Sequence, residues 1–351
     1  MPKGALISSF FSFLGLSKKD EIDSVDPHSG QEARSILDDG FVSEFANENE
    51  LWWEMEIESS AKPIVFDHID LYAIQRGLKE KIRFNKLSLI EIPENIMKII
   101  NILNSKEFDY IKIEGMIQQS AVLTGEIIKI ANSAVYSRGF KVTRIRDALT
   151  RLGPNKVNAI LYLHATMESI KDPRIVHLAK SIILHSQAVA QIASYLSHRY
   201  YPDPDNAFLA GILHDIGKLA ILKELTEQYD LPLKTQIASD LCFGDLMPIL
   251  HERIGAYIGK SWNLENDVIT SIACHHSPSQ VKIMNDSTEM AFALTNLIHV
   301  SDIFARLLGR GNYLAEMDIF SLAACGHLGI EDTPDTRSFL NNIPGIFNIK
   351  Y

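Results

Sequence analysis

From residue 83 onward the apolar side chains recur at the three- and four-residue spacing that lays one stripe along an α-helix. Ile96, Ile99, Ile100 and Leu103 form the first stripe, behind a Pro93 suited to a first helical turn. Ile113, Met116 and Ile117 mark a second, short helix. Thr124 is the expected cap of a third, with Glu126 in its first turn and Ile127, Ile128, Ile130 and Ala131 turned inward. Ile145, Ala148, Leu149 and Leu152 make a fourth that Gly153-Pro154 ends, and Val157, Ile160 and Leu161 make a fifth. The same spacing returns in Ala188, Val189, Ile192, Ala193 and Leu196, and again from Asp267 through Ile269, Ile272 and Ala273, with Pro278 as the stop. A last apolar helix is expected over Ile319 to Leu328, followed by turns at Pro334 and Pro344. Sustained alternation of apolar and polar positions is missing, so the pattern predicts an all-α helical bundle without strands.

The first 82 residues depart from this pattern. Ala5 to Leu16 is apolar, with Phe10, Phe11 and Phe13 ahead of Lys18-Lys19. About a dozen residues are too few to span a bilayer, and no small-x-small cleavage site follows. A frayed terminus is expected there, with an interfacial, weakly membrane-contacting or partner-docking helix as the alternative. Asp20 to about Ser60 is acidic and surrounds Trp52-Trp53. Tryptophan is rare in disordered chains, so a partly ordered arm is expected.

Composition narrows the class. With 351 residues, 46% hydrophobic and 22% charged, the chain reads as a soluble globular protein large enough for one big core or two domains. A net charge of −10 carries no basic footprint, so nucleic acid is not an expected partner. Arg144, Arg146, Arg151 and Lys156 form only a modest basic cluster, expected to be a solvated helix face. Cys242, Cys274 and Cys325 are odd in number and lack Cys-x-x-Cys spacing, which fits a reducing cytoplasm. Cys274 reads as a small buried core residue rather than a ligand.

Candidate chemistry centres on Ala210 to Ala220, where His214-Asp215 sits between two apolar runs. A buried ionised aspartate costs several kcal/mol or more unless it is paired or binds a cation. A divalent metal would supply that charge, since imidazole and carboxylate are ordinary ligands for Zn, Mn or Fe. For the pair alone, a satisfied core histidine with an aspartate capping a turn is the favoured reading. The remainder of the chain changes the odds, because His185, His214-Asp215, His251, His275-His276 and Asp302 form one ordered series in apolar, helical surroundings. Asn132-Ser133, by contrast, reads as helix termination bonding to local backbone.

This series resembles the HD superfamily of metal-dependent phosphohydrolases, and the text around it is similar to the HDOD family, the HD-related output domains of bacterial signalling proteins. Pro93-Glu94-Asn95-Ile96, the Asn-Ser-Ala motif in Ile130 to Tyr136, Ile145 to Gly153, Ile254-Gly255-Ala256 and Trp262-Asn263-Leu264 carry the likeness, over roughly residues 83 to 305. It implies an N-terminal helical subdomain over 83–171 and a C-terminal HD-type subdomain over 172–310; residues 1–82 read as a partly ordered arm or linker, and 311–351 as a C-terminal helix and tail packing on the domain. It further implies a metal set. His185, His214, Asp215 and Asp302 match the minimal HD ligands, while His251, His275 and His276 match the extra ligands of the HD-GYP branch, in which Asp215 would bridge two ions. Lys218 resembles the lysine that contacts substrate phosphate there, one helical turn from Asp215. The chain departs from that branch after His276, where Ser277-Pro278-Ser279-Gln280 stands and no Gly-Tyr-Pro motif is found. That departure argues against cyclic dinucleotide hydrolysis.

Two classes of function follow. One is a signalling output module that holds one or two divalent ions and binds a protein partner or small regulatory ligand. The other is an active metal-dependent phosphohydrolase or phosphodiesterase, with Asp215 and Lys218 as its catalytic residues. The sequence does not distinguish Fe, Mn, Zn and Ni, nor does it set the oligomeric state.

Overall fold

The chain is described by a computed structural model over residues 76–81, 92–105, 109–133, 135–137, 139–173, 175–228, 247–283, 288–311 and 317–347. The apolar stretch at Ala5 to Leu16, the Trp52-Trp53 arm and Cys242 lie outside these residues. Among the described residues every regular element is a helix, and none is a strand. No described helix is long and apolar enough to cross a membrane.

The first helices follow the apolar pattern closely. Helix α1 (Glu94–Leu103) buries Ile96, Ile99, Ile100 and Leu103. Helix α2 (Tyr110–Ile117) is capped by Asp109, whose side chain accepts from the Ile111 and Lys112 amides. Helix α3 (Ala121–Ala131) begins earlier than expected, because Ser120 and not Thr124 is the cap; its hydroxyl accepts from the Leu123 amide at 3.2 Å. Starting there brings Leu123 into the stripe of Ile127 and Ile130 and frees the Thr124 hydroxyl to donate to the Ile117 carbonyl at 3.1 Å. Helix α4 (Ile145–Ser169) is bent where the sequence expects one helix to stop and another to start. Gly153 takes φ 78°, a left-handed conformation that glycine adopts without a Cβ clash, and Pro154 opens the second segment. Helices α1, α2 and α3 all pack on α4.

The basic cluster around the start of α4 is a solvated face only in its first half. Arg144 and Arg146 are exposed, and Arg146 pairs with Glu114 at 2.8 Å. Arg151 donates to the carbonyls of Ala131 and Phe140 at 3.1 and 2.9 Å. Lys156 is buried, 7% exposed, and its ammonium pairs with Asp205. These cations tie segments together because the carbonyls and carboxylate they meet lie on neighbouring elements. Asn132 likewise reaches beyond its own turn. Its amide exchanges two 2.7 Å hydrogen bonds with the Val142 backbone, closing the intervening loop.

The second set of helices comprises α5 (Val176–Tyr200), α6 (Pro204–Leu213), α7 (Ile216–Gln228), α8 (Met247–Ser261), α9 (Asn266–Cys274) and α10 (Glu289–Leu307). Helix α6 lies at their centre, touching α4, α5, α9 and α10. It is started by Asp203, which accepts from the amides of Asp205 and Asn206, and by Pro204 at its first position. Its approach to α5 is close: a Cβ on Gly211 would fall 2.7 Å from the Ala190 Cα. A short 3-10 turn (Ile319–Ser321) and α11 (Ala323–Leu328) replace the single expected helix, and α11 packs on α10. Pro334 opens α12 (Pro334–Leu340) rather than a turn, with Thr333 as cap, and Phe339 stacks on Tyr195 of α5 at 4.6 Å.

A candidate metal centre where six helices meet

The histidine–aspartate series converges. His185 projects from the middle of α5, His251 from α8 and Asp302 from α10. His275 caps the C-terminus of α9, and His276 follows it. His214-Asp215 does not lie within one helix, as its sequence suggests, but at the joint where α6 ends and α7 begins. The joint turns both side chains inward, and they are each 1% exposed. His185, His251, His275 and Asp302 are also buried, whereas His276 is exposed.

Two groups of donors result. His185, His214 and Asp302 offer atoms all within 4.8 Å of one another, and so do Asp215, His251, His275 and His276. Asp215 stands between them. Its Oδ2 lies 3.4 Å from His214 Nε2 and 3.8 Å from His185 Nε2, while its Oδ1 lies 3.6 Å from His251 Nε2 and 3.7 Å from His275 Nε2. These separations are long for hydrogen bonds. Two donors about 2.1 Å from one tetrahedral ion, however, stand about 3.4 Å apart. His214 Nε2 and Asp215 Oδ1 are buried and have no hydrogen-bond partner in good geometry among the described residues. A divalent ion fits this donor set.

The ring nitrogens are oriented for such a role. In His185, His214 and His275 the Nδ1 faces the carbonyl of Arg310, Gly211 and Ile272 respectively. A carbonyl only accepts, so each Nδ1 carries a proton and each Nε2 is turned toward the centre, where that of His214 is left without a partner. His185 Nε2 also meets Asp302 at 2.9 Å. Burial works against charge on Asp215 and Asp302, yet both are held well below the ordinary carboxylate range, Asp215 mainly by His214 and Lys218 and Asp302 mainly by His185. Burial lowers the pKa of His214, which favours the neutral imidazole a metal requires. Lys218 sits one turn after Asp215 and donates to its Oδ2 at 2.7 Å.

Several supporting residues carry no periodic signature. A Cβ on Gly217 would overlap the His251 carbonyl oxygen and lie 2.8 Å from the Gly255 amide, so glycine is what lets α7 and α8 bring Asp215 and His251 together. Gly311, at φ 139°, clears the His185 ring, since a Cβ there would fall 2.6 Å from Nδ1. Glu252 accepts from the His276 amide at 2.9 Å and lies 3.5 Å from His275 Nδ1. His299 donates from Nδ1 to the His275 carbonyl at 2.7 Å. Adjacency of Glu252 to His251, and the one-turn spacing of His299 from Asp302, are the signs in the sequence. Cys274 is buried, which pushes its thiol pKa up, in keeping with a core role.

Fold and site together define an all-helical protein with a histidine–aspartate centre. Residues 89–278, more than half of the chain, match the family model for the HDOD domain, and the chain belongs to that family. The match ends before Asp302, which the fold itself brings to the centre. An uncharacterised protein of Treponema pallidum (strain Nichols) is 20% identical over 196 residues, 53% of this chain but only 37% of that protein's length. Among solved structures, a protein of Shewanella amazonensis SB2B with the provisional name metal-dependent phosphohydrolase is 22% identical, with 79% of this chain and 97% of that one covered at a TM-score of 0.60. An HDOD domain protein of unknown function from Geobacter sulfurreducens is 20% identical, with 79% and 100% covered at 0.51. At these identities the likeness is one of fold.

Proposed function

We propose that this chain, a signalling module of the HDOD type, binds two divalent metal ions in the histidine–aspartate centre and couples them to a regulatory ligand or protein partner. His185, His214 and Asp302 would hold one ion, His251, His275 and His276 the other, with Asp215 bridging. The observation that carries this is Asp215 itself: each carboxylate oxygen faces a separate pair of imidazole nitrogens at ligand-to-ligand spacing. Lys218 pairs with Oδ2, but Oδ1 is buried without a hydrogen-bond partner among the described residues, a cost that a bound cation would offset.

A second reading, hydrolysis of a phosphate ester, draws on the open side of the centre. His276 is exposed there, and Lys218, 19% exposed at its side chain, stands beside Asp215. When bound, divalent ions would bring the pKa of water from about 15.7 toward 7 and clamp phosphoryl oxygens. Lys218 would turn its ammonium from Asp215 toward a phosphate and offset its charge. Ser277-Pro278-Ser279-Gln280 weighs against cyclic dinucleotides, since its prolyl residue leads into a 3-10 turn (Pro278–Ile283) in the place of a Gly-Tyr-Pro motif.

Elemental analysis of the full chain, purified without chelator and beside Asp215→Asn, tests the metal reading. The expected outcome is two ions per chain, with the substitution removing at least one of them. A wild-type chain that stays metal-free after loading with Fe, Mn and Zn refutes it. Turnover of phosphomonoesters or phosphodiesters that disappears in Lys218→Gln while metal content stays would establish the second reading.

A further inference from the structure

The two donor groups share Asp215 but differ in what governs the escape of an ion. His185, His214 and Asp302 are 8%, 1% and 3% exposed, and they project from helices that pack directly on one another, α5, α6 and α10. Both imidazoles are tied through Nδ1 to a backbone carbonyl, Arg310 for His185 and Gly211 for His214. Asp302 is fixed by His185 at 2.9 Å and lies 3.7 Å from Arg306. With Asp215 counted, this group offers two carboxylates in a low-dielectric setting, where attraction for a cation is strongest. The other group offers one carboxylate and three imidazoles, and its His276 is exposed beyond the end of α9.

An ion leaves when water replaces its protein donors one after another. At the buried group water arrives only when α5, α6 and α10 part. At the other group His276 can swing into solvent and leave the rest in place. We infer that the two metal positions are unequal: the position built from His185, His214, Asp302 and Asp215 retains its ion as a structural staple, whereas the position closed by His276 exchanges its ion and is the one open to an anionic oxygen ligand. This inference rests on the metal-binding reading above.

The test uses the full chain stripped of metal, reloaded with Zn2+ and mixed with excess colorimetric chelator, with release followed over time. Two phases of equal amplitude are expected, separated in rate by about tenfold or more, because release from the buried group waits on local opening of the helices. His276→Ala, at an exposed position that leaves the core untouched, should accelerate or abolish the fast phase and leave the slow one. Asp302→Asn, checked for helical content by circular dichroism, should remove the slow phase. Two ions leaving in one phase, a single ion per chain, or loss of the slow phase in His276→Ala each overturn the inequality and leave metal binding standing. A chain that takes up no Zn2+ overturns both.

Discussion

The histidines of this chain take their character from what their two ring nitrogens meet. At the centre, His185, His214 and His275 each donate from Nδ1 to a backbone carbonyl and turn the other nitrogen inward. His164 meets a carboxylate at each nitrogen instead. It is 4% exposed on α4, yet its Nδ1 lies 3.0 Å from Glu126 of α3 and its Nε2 lies 3.3 Å from Glu168. Burial lowers its pKa, but the two carboxylates outweigh that, and the pKa stands above the ordinary histidine value. The folded chain therefore holds the proton more tightly than the unfolded chain. The resulting stabilisation is complete below the ordinary unfolded value of about 6.5 and drains away as pH rises through the folded value. In urea titrations the gap between wild type and His164→Gln should be wide near about pH 6 and close toward about pH 9. A gap that does not change with pH would mean that the ring acts through packing alone. Nothing in the sequence singles out His164, because the carboxylates that charge it come from 38 residues upstream and from the next turn.

At the scale of elements, most of the helices are written in their apolar stripes, and the departures come from contacts between elements that periodicity does not encode. The cap of α3 moves from Thr124 to Ser120 because Leu123 is drawn into the core. His214-Asp215 leaves the helix because α6 ends just before it, where the His214 ring bonds back to the Gly211 carbonyl. The ligand series was legible since its members lie in or directly beside helices with apolar faces; the glycines that let those helices meet were not, as a close approach leaves no repeating mark. Gly217 gives the clearest test. In an ordinary helix interior, glycine to alanine stabilises by roughly 0.5–1 kcal/mol. At Gly217 the added Cβ meets the His251 carbonyl, so the sign should reverse, with a loss of about 1–3 kcal/mol from overpacking. Denaturant midpoints of Gly217→Ala would show this, and metal content should fall along with them as α8 carries His251 away from Asp215. A stabilised Gly217→Ala would contradict the close approach of α7 and α8.

Across the whole molecule, the all-helical class was plain from the sequence, but the joints between the early helices and the ligand-bearing ones were not, because they are made by polar residues with no pattern of their own. Tyr136, in the motif after α3, donates to Ser194 of α5 at 3.0 Å and packs edge-on against Phe208 of α6 at 5.9 Å. Lys156 of α4 reaches Asp205 in the first turn of α6, with its ammonium 5.7 Å from the Tyr136 ring. The partners differ in burial: Lys156 is 9% exposed at its side chain and Asp205 37%. Removing one is therefore not equivalent to removing the other. Lys156→Met leaves a half-exposed carboxylate that water and the N-terminal end of α6 can solvate, at a cost of about 1 kcal/mol or less. Asp205→Asn strands an ammonium in the core and also removes the anion from the start of α6, at a cost of about 1–2 kcal/mol after allowance for solvent screening of the pair. Restoring neutrality with the double variant should recover part of the Asp205→Asn loss, since the stranded charge is gone. Chemical denaturation of the three variants checks the order. If Lys156→Met proves the more damaging single change, the attraction of its ammonium for the Tyr136 ring, which methionine lacks, outweighs the ion pair in joining α4 to the helices of the metal centre.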